Sequence, residues 1–188
     1  MPVLDVLFGD GDLGNFGWFI GVTNAGGYYF DMGSTFGGGT SFNTPFIAPS
    51  AAGKVDRIVG VYDPAGGVIR VYVNGAVAAA GFVGPAQFDT GVNDTTIGSD
   101  SSASWPATRF SIIAAGYVPL VPSAADVLAW DTAMKANACN VAFAGSTFHW
   151  RAVDAGNPPG AAWVNYVAAG TLARVGAPTA AAFVPDYA

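Results

Sequence analysis

Oxygen donors crowd one short stretch of this chain. Asp10, Asp12 and Asn15 stand among Gly9, Gly11 and Gly14, where glycine relaxes the backbone enough to gather the several hard oxygen ligands that calcium takes. These three residues are the candidate calcium ligands. An EF-hand is excluded, because it needs a longer loop, flanking helices and a later bidentate Glu. The competing reading is an Asp/Gly turn whose side chains bond nearby amides. A second oxygen cluster, Asp94, Ser99 and Asp100, is open to the same two readings.

Nucleophilic chemistry has little to work with. His149 is the one histidine, and its conceivable partners are Cys139, Ser146 or Thr147 with Asp154 as the orienting group. Their spacing carries no triad signature, and a His beside Trp150 in a strand reads as a packing residue, so no catalytic residue is assigned. All 13 acidic residues are Asp, which removes the Glu pairs that glycosidases commonly use. Cys139 stands alone, so neither an internal disulfide nor a multi-cysteine zinc site can form. Gly37-Gly38-Gly39 lacks the Lys-Ser/Thr of a phosphate loop.

Five tryptophans, Trp18, Trp105, Trp130, Trp150 and Trp163, raise the possibility of sugar stacking, although most tryptophans in a β-rich domain belong to the core. Trp105 is the best candidate for a ligand platform. It lies in Ser101-Ser102-Ala103-Ser104-Trp105-Pro106, a polar stretch with no strand pattern, and loops on rigid scaffolds commonly carry recognition. Trp105, Ser104 and Asp100 form the predicted ligand-binding set.

Composition narrows the class. The 188 residues are 52% hydrophobic and only 11% charged, with 26 Gly and 12 Pro, which suits one large domain of many strands and frequent turns. A formal charge of −6 repels phosphate backbones, and the arginines are dispersed, so nucleic acid is not an expected partner. No apolar run reaches the length of a membrane-spanning helix, and no membrane insertion is expected. The amino terminus lacks a secretory signal pattern, which is compatible with action at the site of synthesis, release by lysis as for phage proteins, or origin as part of something larger.

The elements follow from alternation and turn chemistry. Arg57 to Asp63 and Val68 to Val73 flank Pro64-Ala65-Gly66-Gly67, and the second run stops at Asn74-Gly75, the dipeptide suited to a type I′ hairpin turn. Further strands are expected over Val3 to Phe8, Trp18 to Val22, Tyr28 to Met32, Ala76 to Val83, Asp94 to Gly98 and Arg109 to Ala115. Phe36 to Thr44 reads as a Gly-rich loop crossing between sheets. Adjacent Tyr28 and Tyr29 should point one inward and the other outward, an alternation that serves the fold more than binding. One helix is expected near 123–136, with Ser123 as N-cap, Asp126 completing a capping box and Asp131 paired with Lys135.

The "Val-x-Tyr-Asp" strand followed by "x-Arg-x-Tyr-Val-Asn-Gly", with Gly17-Trp18, Tyr28-x-Phe30, Thr96-Ile97-Gly98 and the helix start in the family's order, resembles the laminin-G-like, concanavalin A-type lectin and glucanase superfamily. The resemblance runs from about Leu7 to Lys135 and implies an all-β, antiparallel two-sheet jelly-roll sandwich with one short α-helix. The tail, with Phe148 to Asp154, Ala162 to Asn165 and Gly170 to Leu172, is similar to the family's opening strands. A single domain over 1–188 is therefore expected, with 146–188 closing the sandwich by circular permutation beside Val3. Completion of a neighbouring subunit and an ordinary extension are the rival readings of the tail.

The resemblance implies a non-catalytic recognition module for a glycan or protein surface, with calcium as a candidate cofactor. The alternative is a structural virion or surface-layer protein, a decoration or tail component, that forms a homo-oligomer through sheet edges and loops.

Overall fold

The computed structural model describes residues 4–11, 16–23, 27–33, 41–51, 54–82, 95–97, 114–137, 141–151, 162–164 and 171–173. Within them the strands are β1 (Leu4–Gly11), β2 (Phe16–Thr23), β3 (Tyr28–Gly33), β4 (Ser41–Asn43), β5 (Ile58–Asp63), β6 (Val68–Val73), β7 (Ala76–Phe82), β8 (Thr95–Ile97), β9 (Ala114–Tyr117), β10 (Phe148–Arg151), β11 (Ala162–Val164) and β12 (Thr171–Ala173). The single helix among the described residues, α1, spans Ala124–Ala136. The larger sheet has the order β4-β3-β2-β1-β8 and the smaller β5-β6-β7, with β9–β10 and β11–β12 as two-stranded ribbons. All these pairings are antiparallel.

Period-two alternation decides what each face does. The pairs Ile20↔Phe30 and Val22↔Tyr28 place one set of apolar side chains on one face of the larger sheet. Alternation puts Ile69, Val71 and Val73 on one face of β6. These two faces meet: Ile20, Phe30, Ile69 and Val71 form a buried cluster, joined by Trp18, Ile47, Ile58, Tyr62 and Val73. Gly60 lies under the Phe30 ring, where an added Cβ would sit 2.7 Å from Cδ2. Only the smallest residue lets the strand approach so closely.

The opposite face of the smaller sheet is apolar too, and α1 covers it. Val61 and Tyr72 pack with Val127, flanked by Val59 and Phe143. Ser123 caps α1 through the expected capping box with Asp126. The buried stripe of the helix is Val127, Asp131 and Met134, with a carboxylate at its centre, while Leu128 is 55% exposed. Asp131 therefore does not serve the expected pair with Lys135. It is buried against Arg57, with Nε donating to Oδ1 at 2.7 Å and Nη2 to Oδ2 at 3.3 Å, because the helix face that carries it turns toward the sheet.

The Asn74-Gly75 turn has φ of 53° and 81°, the two positive values a type I′ hairpin requires. It is also the point where several segments join. Asn74 Oδ1 accepts from the Arg57 amide at 3.1 Å, the Asn74 amide donates to the Arg57 carbonyl at 2.9 Å, and Asn74 Nδ2 donates to Asp56 at 2.9 Å. The Asp56 carboxylate further accepts from the Tyr28 hydroxyl, the Ser50 amide and the Ser50 hydroxyl. One side chain thus ties β3, the 44–56 crossing and the β6–β7 turn together.

Four expectations need correction. The 36–44 stretch is not only a crossing, since β4 pairs with β3 and Thr44 continues the ladder by exchanging hydrogen bonds with the Phe30 backbone through its amide and its Oγ1. β1 runs on to Gly11, so Gly9 and Asp10 belong to a strand rather than to the following loop. Tyr29 is as buried as Tyr28, at 2% and 7% exposure, because Phe19 and Phe46 meet its ring edge-on at 5.6 and 5.5 Å. The first strand of the tail, β10, pairs with β9 and not with β1, whose free side is taken by β8 along Phe8 to Asp10. Stacking of Tyr117 on Trp18, with centroids 5.8 Å apart, links the β9–β10 ribbon to the larger sheet.

Candidate functional site

The predicted residues do not come together as a described site. Trp105, Ser104 and Asp100 lie outside the described residues, as do Asp12 and Asn15 of the calcium set. The Asp10 backbone pairs with Trp18 on one side and Thr95 on the other. Cys139 and Asp154 also lie outside the described residues, and His149 is buried on β10, 3% exposed, which agrees with its packing reading.

A concavity formed by described residues was missed in the sequence. A cleft of about 470 Å³ opens beside the start of α1, lined by Asp63, Arg70, Tyr72, Val77, Val121, Pro122, Ser123 and Ala124. Its floor comes from the helix-covered face of the smaller sheet, where alternation aligns Arg70 with Tyr72 and the β6–β7 register sets Val77 beside Tyr72. Its other wall is the chain entering α1. Val77 and Val121 are 52% and 49% exposed, so apolar surface reaches the mouth.

Two charges face this opening. Arg70 Nη1 donates to Asp63 Oδ2 at 3.4 Å, with side-chain exposures of 31% and 22%. Asp63 also accepts from the Gly66 amide at 2.9 Å. That amide, with Arg70 assisting, holds the Asp63 carboxyl below the ordinary carboxylate range, so it is ionised at neutral pH. The Ser123 hydroxyl is engaged by Asp126 at 2.6 Å, and its bonds hold the Asp126 carboxyl low as well. A guanidinium and a carboxylate side by side can donate to and accept from the same ligand, while Val77, Val121, Pro122 and Tyr72 supply contact area. The signal present in the sequence was the Arg70/Tyr72 alternation, which sets these two residues on the face of β6 opposite Ile69 and Val71.

A laminin-G-type family model, described as the concanavalin A-like lectin/glucanases superfamily, matches residues 3–112. The chain belongs to this superfamily. Comparison with curated proteins and with solved structures returns no match. The superfamily region contains β1 to β8 and stops before α1. The cleft therefore straddles its limit: Asp63, Arg70, Tyr72 and Val77 lie inside the superfamily region and Val121 to Ala124 outside it. A superfamily that includes lectins and glucanases gives a carbohydrate-binding type of module as the general functional class.

Proposed function

We propose that this protein is a non-catalytic recognition module that binds a glycan or another surface polymer. The observation that carries the reading is the superfamily match over 3–112, on a framework whose two larger sheets pack face to face through Ile20, Phe30, Ile69 and Val71. The complete absence of Glu from the sequence supports recognition over glucanase chemistry, which commonly uses a pair of carboxylates of which Glu is the usual form. In this reading Trp105, Ser104 and Asp100 contact the ligand, and Asp10, Asp12 and Asn15 bind calcium that orders it. A glycan array probed with the full chain, with calcium and with chelator, tests both parts. Selective binding that falls in Trp105→Ala supports the ligand set, and silence across a broad array overturns the reading.

One observation favours a second reading, that of a self-associating structural component of a virion or surface layer. Phe46, Leu120, Leu128 and Val77 are 63%, 61%, 55% and 52% exposed, apolar surface that contacts between copies would cover. Native mass spectrometry separates the two. A stable closed oligomer supports assembly, and a monodisperse monomer at micromolar concentration counts against it.

A further inference from the structure

We infer that the cleft between the outer face of β5–β7 and the start of α1 is a subsite for a neutral, hydroxyl-rich ring, such as one hexopyranose unit of a saccharide. The inference rests on the recognition reading only for the word saccharide; the chemistry is that of the cleft. Its volume of about 470 Å³ falls within the ~300–1,000 Å³ typical of small-molecule pockets.

Charge selects against a simple anion and a simple cation. An anion would gain Arg70 but meet Asp63 at 3.4 Å from the guanidinium, Asp126 at the nearby helix start and a chain of formal charge −6. A cation would gain Asp63 and meet Arg70. A neutral vicinal diol satisfies both at once, one hydroxyl donating to the Asp63 carboxylate and its neighbour accepting from Arg70. Among the described residues the Arg70 side chain makes one hydrogen bond, the long one to Asp63, so most of the donors of its fork are available to a ligand. The apolar face that a pyranose presents through its ring C–H groups then lies on Val77, Val121 and Pro122. Ser123 contributes shape rather than recognition, because its hydroxyl is held by Asp126.

Half of the cleft wall follows the matched region, which ends at 112, so the ring would be gripped between the sheet and the helix entry.

The test is amide chemical-shift mapping on the isotope-labelled full chain with cellobiose, maltose, lactose and N,N′-diacetylchitobiose, and with glucuronate as the charged control. The expected result is saturable shifts clustered at Asp63, Arg70, Val77, Ser123 and Ala124 for at least one neutral disaccharide, with none for glucuronate. Arg70→Met should weaken that binding roughly tenfold or more. Val121→Trp fills the mouth from an exposed position and should do the same without touching the central strand, which keeps the test decisive if Arg70→Met misfolds. Shifts elsewhere, affinity unchanged in Val121→Trp, or no saturable shift with any neutral probe overturns the inference. A positive glycan array with a silent cleft removes this subsite and leaves the recognition reading standing. Binding of free disaccharide in the cleft with a silent array supports this subsite and counts against recognition of surface-bound glycan through Trp105.

Discussion

Breaking the Arg57–Asp131 pair should cost more than any other single polar change among the described residues. The side chains are 5% and 9% exposed, with a shortest contact of 2.7 Å, and the second guanidinium bond at 3.3 Å makes the pair bidentate. Arg57→Met leaves a buried carboxylate without its cation, and Asp131→Asn leaves a buried guanidinium without its anion. Loss of one partner of a buried pair costs about 3–5 kcal/mol, which for a chain of this size is a fall in Tm of roughly 6–20 °C. The double variant removes both charges and should be less destabilised than the sum of the singles by about 2 kcal/mol or more. Net stabilisation by the intact pair is smaller than this coupling, because Arg57 Nη1 is buried with no hydrogen-bond partner among the described residues, so desolvation is only partly offset. Urea denaturation followed by circular dichroism measures all four corners, and unchanged m-values would keep the comparison two-state. Additivity of the two substitutions within about 0.5 kcal/mol would refute the reasoning, since it would mean that the contact has no energetic substance.

Other expectations follow from single positions. Gly60→Val pushes a side chain into the Phe30 ring, 2.7 Å from the position of the first added carbon; overpacking of this kind costs about 1–3 kcal/mol, and a Tm unchanged in calorimetry would contradict the sheet-to-sheet packing. Gly75→Ala places a Cβ at φ of +81° and 3.1 Å from that of Asp131, so it should cost about 1–3 kcal/mol and increase amide exchange in α1. Partial burial pushes the Asp56 carboxyl up, but the bonds from Ser50, Asn74 and Tyr28 outweigh it and hold it below its ordinary value. Its contribution is complete above the unfolded carboxylate pKa, about 4, and is lost as pH falls through the lower folded value; Asp56→Asn should flatten that acid limb in pH-dependent denaturation. Burial, then the charge of Asp56 and the bond to it, raise the Tyr28 hydroxyl, so its contribution is complete below about pH 10 and is lost as pH rises toward the folded value. Tyr28→Phe should remove that alkaline slope.

Local chemistry made the central hairpin legible. Alternation, Pro64 to Gly67 and Asn74-Gly75 gave β5, β6 and β7 almost to the residue, and Ser123 with Asp126 gave the start of α1, because each signal acts within a few residues. Long-range contacts were not legible. Asp131 looked like a surface residue because Lys135 follows at helical spacing, whereas its partner is 74 positions away. Nor did Asp56 announce itself, since its donors come from Tyr28, Ser50 and Asn74. β4 was hidden by its glycine-rich surroundings, and its pairing is set by β3 rather than by its own propensity. Of the site, the recognition residues chosen from the sequence fall outside the described residues. The cleft escaped notice because half of it is the path of the chain into a helix, which no residue pattern encodes.

The lone carboxylate in the buried stripe of α1 has an orientational consequence. Val127 and Met134 are interchangeable knobs that many hydrophobic grooves would accept, so they hold the helix down without saying which way it is rolled. Asp131 answers that, because a roll of one position, about 100°, would bring Trp130 or Thr132 toward the guanidinium and strand the acid elsewhere. Removing both charges should leave a helix that still adheres but no longer keeps one azimuth, visible as broadened α1 resonances in Arg57→Met/Asp131→Asn. Sharp, singly populated signals there would mean that packing alone sets the roll.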